Sequence, residues 1–218
     1  MRKALIILFA IACGTARGQH KINAALKKQL DSVMILDQKY RDTLSLLMNP
    51  QKADSLSKAL SFKPGQAVTH YWALQSRLDS LNVVFIEAVF KKYGYPGKTL
   101  VDTPANETAW YIIQHSKKIA QYLPMMKKAA DDKELPFRLY AMMLDRELMN
   151  EGKEQIYGTQ GMCRPLKNEK TGGCFIWPIK DAATVNKRRK EAGFEQTVEQ
   201  NAARLGITYR VLKMDEVK

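Results

Sequence analysis

The sequence is poor in the residues from which metal sites and thiol active centres are built. It contains three cysteines and three histidines among 218 residues. No Cys-x-x-Cys pair and no His-Glu-x-x-His motif occurs, so neither a structural zinc site nor a zinc protease is indicated. A Gly-x-Ser-x-Gly motif and a glycine-rich phosphate-binding loop are also absent. We therefore expect no metal and no cofactor, and no standard motif assigns a reaction.

Long apolar runs are equally scarce, and the one that occurs stands at the N-terminus. Residues 4–13 are uninterruptedly apolar and follow the basic start at residues 1–3. Small residues, Ala16 and Gly18, then precede Gln19. This pattern is typical of a secretory signal peptide, and the run is shorter than the roughly 20 residues of a membrane span. We expect residues 1–18 to be removed and the mature chain to be exported, to the periplasm or the medium, without a transmembrane span.

Cys13 leaves a lipoprotein as the less favoured alternative. Cleavage just before Cys13 would expose it for acylation. The residues before it are Ala10, Ile11 and Ala12, which lack the leucine usual in such a site.

Acidic residues are outnumbered by basic ones. The formal net charge is +13, and removal of residues 1–18 lowers it by three through the loss of Arg2, Lys3 and Arg17. The excess favours contact with anionic groups, although a solvated basic surface is the alternative. No zinc finger or aromatic RNA-binding motif accompanies the basic run at 186–190, so no specific nucleic-acid partner is indicated. Nothing indicates the oligomeric state.

Cys163 and Cys174 are the cysteines that remain after such processing. They flank a segment that contains Pro165, Gly172 and Gly173 and is typical of a turn. Since disulfides persist in exported proteins, we predict that the two cysteines are bonded. A closed loop of this size stabilises a chain by roughly 3 kcal/mol in the chain-entropy model.

Hydrophobic periodicity predicts a mainly α fold, a helical bundle with a small β-hairpin. Helices are predicted at 21–48, 67–93, from about 103–105 onward, 137–152, after Asp181, and after Gly193. The hairpin would pair residues 154–163 with 174–179. The predicted organisation is a signal peptide (1–18), an N-terminal helical arm (19–66), a helical domain with the hairpin at 154–180 (67–205), and a C-terminal tail (206–218).

Polar residues stand out in two otherwise apolar helices. His115 follows an aromatic stretch, and histidine is suited to general-base catalysis because its charge changes near neutral pH. Asp145 could orient His115, and Arg146 could clamp a carboxylate or phosphate. The alternatives are a histidine satisfied in the core and a structural ion-pair network.

The segment "EGKEQIYGTQGMC" at 151–163 concentrates uncharged hydrogen-bonding side chains between glycines. As a strand it would place Gln155, Tyr157 and Thr159 on one face. Amide and phenol groups suit sugars or peptides, which both donate and accept hydrogen bonds. The alternative is a hairpin strand whose polar face meets solvent.

Several of these motifs together resemble an uncharacterised bacterial domain family of unknown function. They are "AWYIIQHS" (109–116), "LDR" (144–146), "QIYGTQ" (155–160), "WPI" (177–179) with Asp181, and "RR" (188–189). The resemblance implies that their polar residues form one constellation, and it implies no reaction. The Cys163/Cys174 pair, the segment 195–200 and the tail after about residue 205 depart from the family pattern.

We therefore expect an exported protein that binds a polar ligand, either a glycan, a peptide or an anionic group. A hydrolase with His115 as general base, assisted by Asp145 and Arg146, is the alternative. A distance within about 3.2 Å between His115 and Asp145 would favour it, and side chains on different faces would rule it out. The expected ligand-binding residues are Trp110, Arg146, Gln155, Tyr157, Gln160, Asp181, Arg188 and Arg189.

Overall fold

The computed structural model of the chain describes residues 21–49, 51–167 and 169–217. The predicted signal peptide and Cys13 lie outside these residues. Within them, no helix is both long and apolar enough to cross a membrane.

The N-terminal third folds into four helices. They are α1 (Ala24–Gln38), α2 (Arg41–Leu47), α3 (Ala53–Ala59) and α4 (Gln66–Tyr93). The Asn23 side chain caps α1 by accepting a hydrogen bond from the Leu26 N–H. The single helix predicted at 21–48 is broken at residues 39–40, so α2 is a separate short helix.

The central helices bury the largest apolar cluster of the described chain. They are α5 (Lys98–Val101), α6 (Thr108–Gln114), α7 (Ile119–Asp131) and α8 (Phe137–Asn150). Leu30 of α1, Ile86 of α4 and Trp110 of α6 lie in this cluster, each at most 1% exposed. Burying one such large apolar side chain stabilises a fold by about 1.5–3 kcal/mol.

The apolar stripe predicted at 21–48 buries Leu26, Leu30, Leu44 and Leu47. The stripe predicted for 67–93 ran through Leu81, which is 59% exposed, whereas α4 buries Val83, Ile86, Val89 and Phe90 instead.

The helix predicted from about residue 103 onward is interrupted. A single 3-10 turn (Ala105–Glu107) leads into α6, and residues 115–118 separate α6 from α7. His115 consequently lies at the end of a helix, where its N–H bonds the Ile112 carbonyl, rather than inside a continuous helix.

A short antiparallel hairpin follows α8. Strand β1 (Gly161–Arg164) pairs with β2 (Gly173–Ile176), and Cys163 lies directly opposite Cys174. The two residues are bonded as a disulfide with a Cα–Cα distance of 4.0 Å, which confirms the predicted pair. Strand β1 begins later than predicted, and residue 155 makes only an isolated parallel bridge to Ile179.

The C-terminal part packs on this hairpin. It contains a 3-10 turn (Ala182–Thr184), α9 (Val185–Glu191), α10 (Val198–Arg204) and α11 (Met214–Val217). Ile176 of β2, Val185 of α9 and Val198 of α10 share one small apolar cluster, and Leu212 and Val217 belong to another. The mainly α fold with a minor β-hairpin is confirmed.

Candidate functional site

The segment 155–160 lies between α8 and β1, and side chains from three helices hold its backbone. Asp145 of α8 is fully buried. Its carboxylate accepts hydrogen bonds from the N–H groups of Ile156 at 2.7 Å, Tyr157 at 3.0 Å and Thr159 at 3.0 Å. The Thr159 hydroxyl donates to the same carboxylate at 2.9 Å. Asp145 thus organises the segment 155–160. We call it the family loop because its QIYGTQ motif is one of those that resemble a family of unknown function.

The environment of Asp145 acts on its pKa in two opposing ways. Burial raises the pKa of Asp145, because the ionised form loses its hydration. The hydrogen bonds from Tyr157, Ile156 and Thr159 lower it, but by less, so the pKa lies above its ordinary value.

The carbonyl groups of the family loop are bonded from α9 and α10. Arg188 Nε donates to the Ile156 carbonyl at 3.1 Å, and Arg189 Nη1 donates to the Tyr157 carbonyl at 2.7 Å. Asn201 of α10 donates to the Gly158 carbonyl at 3.0 Å. Each arginine therefore uses one of its nitrogen donors to bond the loop backbone.

Gln155 and Gln160 close the family loop from inside. Gln155 Nε2 donates to the carbonyls of Gln160 at 3.0 Å and Trp177 at 2.7 Å, while its Oε1 accepts from the Gln160 N–H at 2.9 Å. The Gln160 side chain accepts from Arg146 Nε at 3.2 Å. Gln155 is fully buried, so its role is to fix the loop rather than to contact a ligand.

The glycine in the middle of this motif is required by both conformation and space. Gly158 has a φ of +66°, a backbone conformation that residues with a Cβ atom rarely adopt. A Cβ atom there would approach Val198 Cγ2 to 2.6 Å and Ile179 Cδ1 to 2.7 Å.

Most predicted site residues meet at this loop, but two do not join it as expected. Trp110 is 1% exposed and its indole N–H donates to the Leu139 carbonyl at 2.7 Å, so it packs α6 against α8. His115 approaches Asp37 rather than Asp145, with Nδ1 at 3.5 Å from Asp37 Oδ2. Among the described residues, the side-chain oxygens of Asp145 accept hydrogen bonds from Ile156, Tyr157 and Thr159 of the family loop.

Arg146 and Asp181 lie at the edges of the loop. Arg146 Nη1 donates to the Gln114 carbonyl at 3.1 Å, and burial lowers the pKa of Arg146, as does the nearby charge of Arg41. The carboxylate of Asp181 lies 3.5 Å from Arg188 Nη1 and is largely exposed.

A cleft of about 380 Å³ opens beside the family loop. Arg138 of α8, Arg189 of α9 and Arg204 of α10 all line it, and Thr159 contributes the loop side. The remaining lining residues are Met142, Gly193, Phe194, Glu195, Gln196 and Asn201. We call it the arginine cleft.

Two arginines of the cleft, Arg189 and Arg204, donate hydrogen bonds to neutral groups. Arg189 Nε donates to the Gln196 carbonyl at 2.8 Å, and its guanidinium lies 4.6 Å from the centre of the Phe194 ring. Arg189 Nη2 takes part neither in the hydrogen bond to the Gln196 carbonyl nor in the one to the Tyr157 carbonyl. Arg204 Nη2 donates to the Asn201 amide oxygen at 2.9 Å. Within residues 21–49, 51–167 and 169–217, neither Arg189 nor Arg204 forms a salt bridge.

Sequence reasoning missed Arg138, Arg204 and Asn201. Arg138 and Arg204 lie on helices far apart in sequence, and no spacing signals that they share a cleft with Arg189.

Over the described part of the chain, no group of three or more His, Cys, Asp or Glu residues is arranged to hold a metal ion.

The same loop-and-helix region coincides with a family match. Residues 65–211 match a family of unknown function, DUF6624. The chain belongs to the DUF6624 family. The DUF6624 region contains the family loop, His115 and the whole arginine cleft, whereas α1 to α3 precede it. No curated protein and no solved structure matches the chain at a significant level.

Proposed function

We propose that this DUF6624 protein is exported and binds a small anionic ligand, or the anionic group of a glycan or peptide, in the arginine cleft. The observation that carries the proposal is that three arginines, from α8, α9 and α10, line one cleft. Arg189 also bonds the loop that Asp145 fixes, which supports a defined position for this arginine.

Guanidinium groups favour carboxylate and phosphate ligands because their planar donors match two acceptor oxygens at once. Arg138 Nη2 lies 3.6 Å from Glu107 Oε1, and the charges of Asp145 and Glu199 act on Arg189 without forming a salt bridge with it among the described residues. Glu195 is the one acidic residue that lines the cleft. Thr159 and Asn201 add neutral hydrogen-bonding groups that could orient the rest of a ligand.

Export rests on the N-terminal pattern of residues 1–18 and is supported by the Cys163–Cys174 disulfide. Disulfides persist in secreted and periplasmic proteins and are rare in the cytosol.

The proposal is tested by thermal unfolding with inorganic phosphate, citrate and glucose as probes. A ligand that binds the native state raises the unfolding temperature by mass action, with about 2.7 kcal/mol expected at a hundredfold excess over Kd. We expect phosphate or citrate to stabilise the protein and glucose to leave it unchanged. The stabilisation should weaken as sodium chloride is added, since salt screens exposed charges.

Arg204→Gln and Arg138→Gln should each reduce the anion-induced shift. Arg77→Gln is the matched control, because Arg77 is exposed on α4 and does not line the cleft. An equal loss of the shift in all three variants would indicate nonspecific attraction to positive charge and would contradict the proposal, as would no shift in the wild-type protein.

A further inference from the structure

One end of the described helical bundle brings together the start of α1, the end of α4, α5 and the segment after α7. The Asn23 N–H donates to the Leu100 carbonyl at 2.8 Å, so the start of α1 lies against α5. The Lys98 N–H donates to the Glu134 carbonyl at 3.1 Å, so the segment after α7 also reaches α5. Residues 94–97 alone separate the end of α4 from α5. Segments from distant parts of the sequence therefore share this end.

Exposed lysines lie on each of these segments. They are Lys21 before α1, Lys91 and Lys92 in the last turn of α4, Lys98 at the start of α5, and Lys133 after α7. Within the described chain, the salt bridges that lysines form involve other lysines. We call this end of the bundle, with its five lysines, the lysine face.

Two acidic residues adjoin the lysine face. Glu134 accepts hydrogen bonds from the Thr99 N–H and from the Thr99 hydroxyl, both at 2.8 Å. Asp102 accepts one from the Thr103 N–H at 2.8 Å. The two aspartates at the end of α7 are each paired with a lysine of their own helix. The five lysines therefore leave an excess of positive charge on this face.

Apolar and aromatic side chains are exposed among these charges. Ile22 is 37% exposed and Tyr93 is 38% exposed. The Lys92 ammonium lies 4.9 Å from the centre of the Tyr93 ring and lowers the pKa of Tyr93, and the Asn23 side chain lowers it further. Tyr93 thus lies beside the start of α1. Tyrosine and lysine side chains both suit a membrane–water interface, because each has an apolar body and a polar tip.

The N-terminal part of the chain joins the described fold at this same end. Residues 1–20 connect to Lys21, and they include the apolar run 4–13 and Cys13. A lipid on Cys13 would hold the lysine face close to a bilayer, since residues 14–20 reach at most about 25–30 Å when extended. A chain that has lost residues 1–18 would depend on the lysines and on Tyr93 alone.

We propose that the lysine face docks the protein onto a phospholipid bilayer that contains anionic headgroups. Each lysine near such a surface is attracted to it, within a distance set by the Debye length. Ile22 and Tyr93 then enter the headgroup region. A soluble polyanion would use the charges of this face but not its apolar side chains, so a bilayer fits the face better.

Docking is independent of the arginine cleft, because no lysine lines that cleft. Failure of anion binding in the cleft would therefore leave this proposal standing, and failure of docking would leave the cleft unaffected.

The test is co-sedimentation of the processed protein with phosphatidylcholine vesicles that contain or lack phosphatidylglycerol. We expect binding to the vesicles with phosphatidylglycerol and little to those without it. The binding should weaken as sodium chloride is added, since salt screens exposed charges. No binding to either kind of vesicle, or equal binding to both, overturns the proposal.

A triple variant, Lys91→Gln with Lys92→Gln and Lys98→Gln, should lower the partition coefficient at least about tenfold. The matched control removes the same charge from lysines that are paired with carboxylates on α7 and α9, through Lys127→Gln, Lys128→Gln and Lys187→Gln. Both variants keep the same N-terminus, so its contribution cancels. An equal loss in the two variants would indicate attraction to net charge alone and overturns the lysine face.

Tyr93→Trp distinguishes a bilayer from a soluble polyanion. Indole emission moves to shorter wavelength when the ring leaves water, so vesicles with phosphatidylglycerol should shift the emission of this variant relative to the wild-type protein. Heparin should not. No shift with vesicles, or an equal shift with heparin, overturns the proposal.

Arg204→Gln, in the arginine cleft, should bind these vesicles as the wild-type protein does. A loss as large as that of the triple lysine variant would place the lipid headgroups in the arginine cleft and would overturn docking through the lysine face.

Discussion

At the scale of single residues, the sequence motif of the family loop is explained by backbone hydrogen bonds. Asp145, Arg188, Arg189 and Asn201 each bond main-chain groups of residues 156–159. Such a loop lacks the repeating bonds of a helix or strand, so its buried polar groups must be satisfied by side chains. The polar residues from which we predicted a binding surface thus largely hold the backbone of this loop.

Asp145→Asn should destabilise the protein by about 2–4 kcal/mol, because hydrogen bonds to a charged group are strong and the new amide N–H₂ would face buried donors. Urea unfolding followed by circular dichroism measures the difference. Asp132→Asn is the control, since that side chain is 51% exposed and pairs only with Lys128. Its loss should stay within about 0.5 kcal/mol. Equal losses in the two variants would contradict the assigned role of Asp145.

At the scale of elements, the family loop packs closely against α10. Gly158 packs on Val198 of α10 and on Ile179, and its carbonyl accepts the bond from Asn201. This contact fixes one wall of the arginine cleft relative to the loop that carries Thr159. The loop therefore depends on a glycine for both its conformation and its packing.

Gly158→Ala should cost about 2–4 kcal/mol, since strain at positive φ adds to overpacking. Gly193→Ala is the matched control: its φ is +83°, yet a Cβ atom there meets nothing within 4 Å. The control should lose about 1 kcal/mol from backbone strain alone. Chemical denaturation of both variants measures the difference, and a control that loses as much as Gly158→Ala would show that packing against α10 contributes nothing.

At the scale of the whole molecule, Asp37 links the N-terminal helices to the DUF6624 region. Its carboxylate contacts Arg41 and His115, and its carbonyl accepts a hydrogen bond from Gln75 of α4. The folded-state pKa of Asp37 is lowered, so its stabilisation is present above the unfolded pKa of about 3.8 and is lost as pH falls through the folded pKa. Acid should therefore loosen this junction.

The unfolding free energy of the wild-type protein should fall between about pH 5 and pH 2 more steeply than that of Asp37→Asn, which has no such proton to bind. Urea titrations across this range measure the two slopes. Asp31→Asn, with its side chain 43% exposed and paired only to Lys27, should keep the wild-type slope. Parallel slopes in wild type and Asp37→Asn would contradict the linkage.

Local patterns were sufficient for much of the fold. The apolar period of 67–93 and the glycine after it predicted α4 to within one residue, and Gly94 ends that helix at a φ of +70°. The turn residues between Cys163 and Cys174 predicted the hairpin and its disulfide. They did not predict where β1 begins, because Asp145 draws residues 156–159 out of the strand pairing.

By itself, the sequence determined the helical class, the hairpin and the disulfide, because each depends on local spacing. Its resemblance to a family indicated most of the polar residues that meet at the family loop, although not Asn201. Only the tertiary structure decided their partners. It placed Arg138 and Arg204 beside Arg189, and it set Asp37 rather than Asp145 against His115. Such contacts depend on how distant helices pack, and no short-range pattern in the chain encodes that geometry.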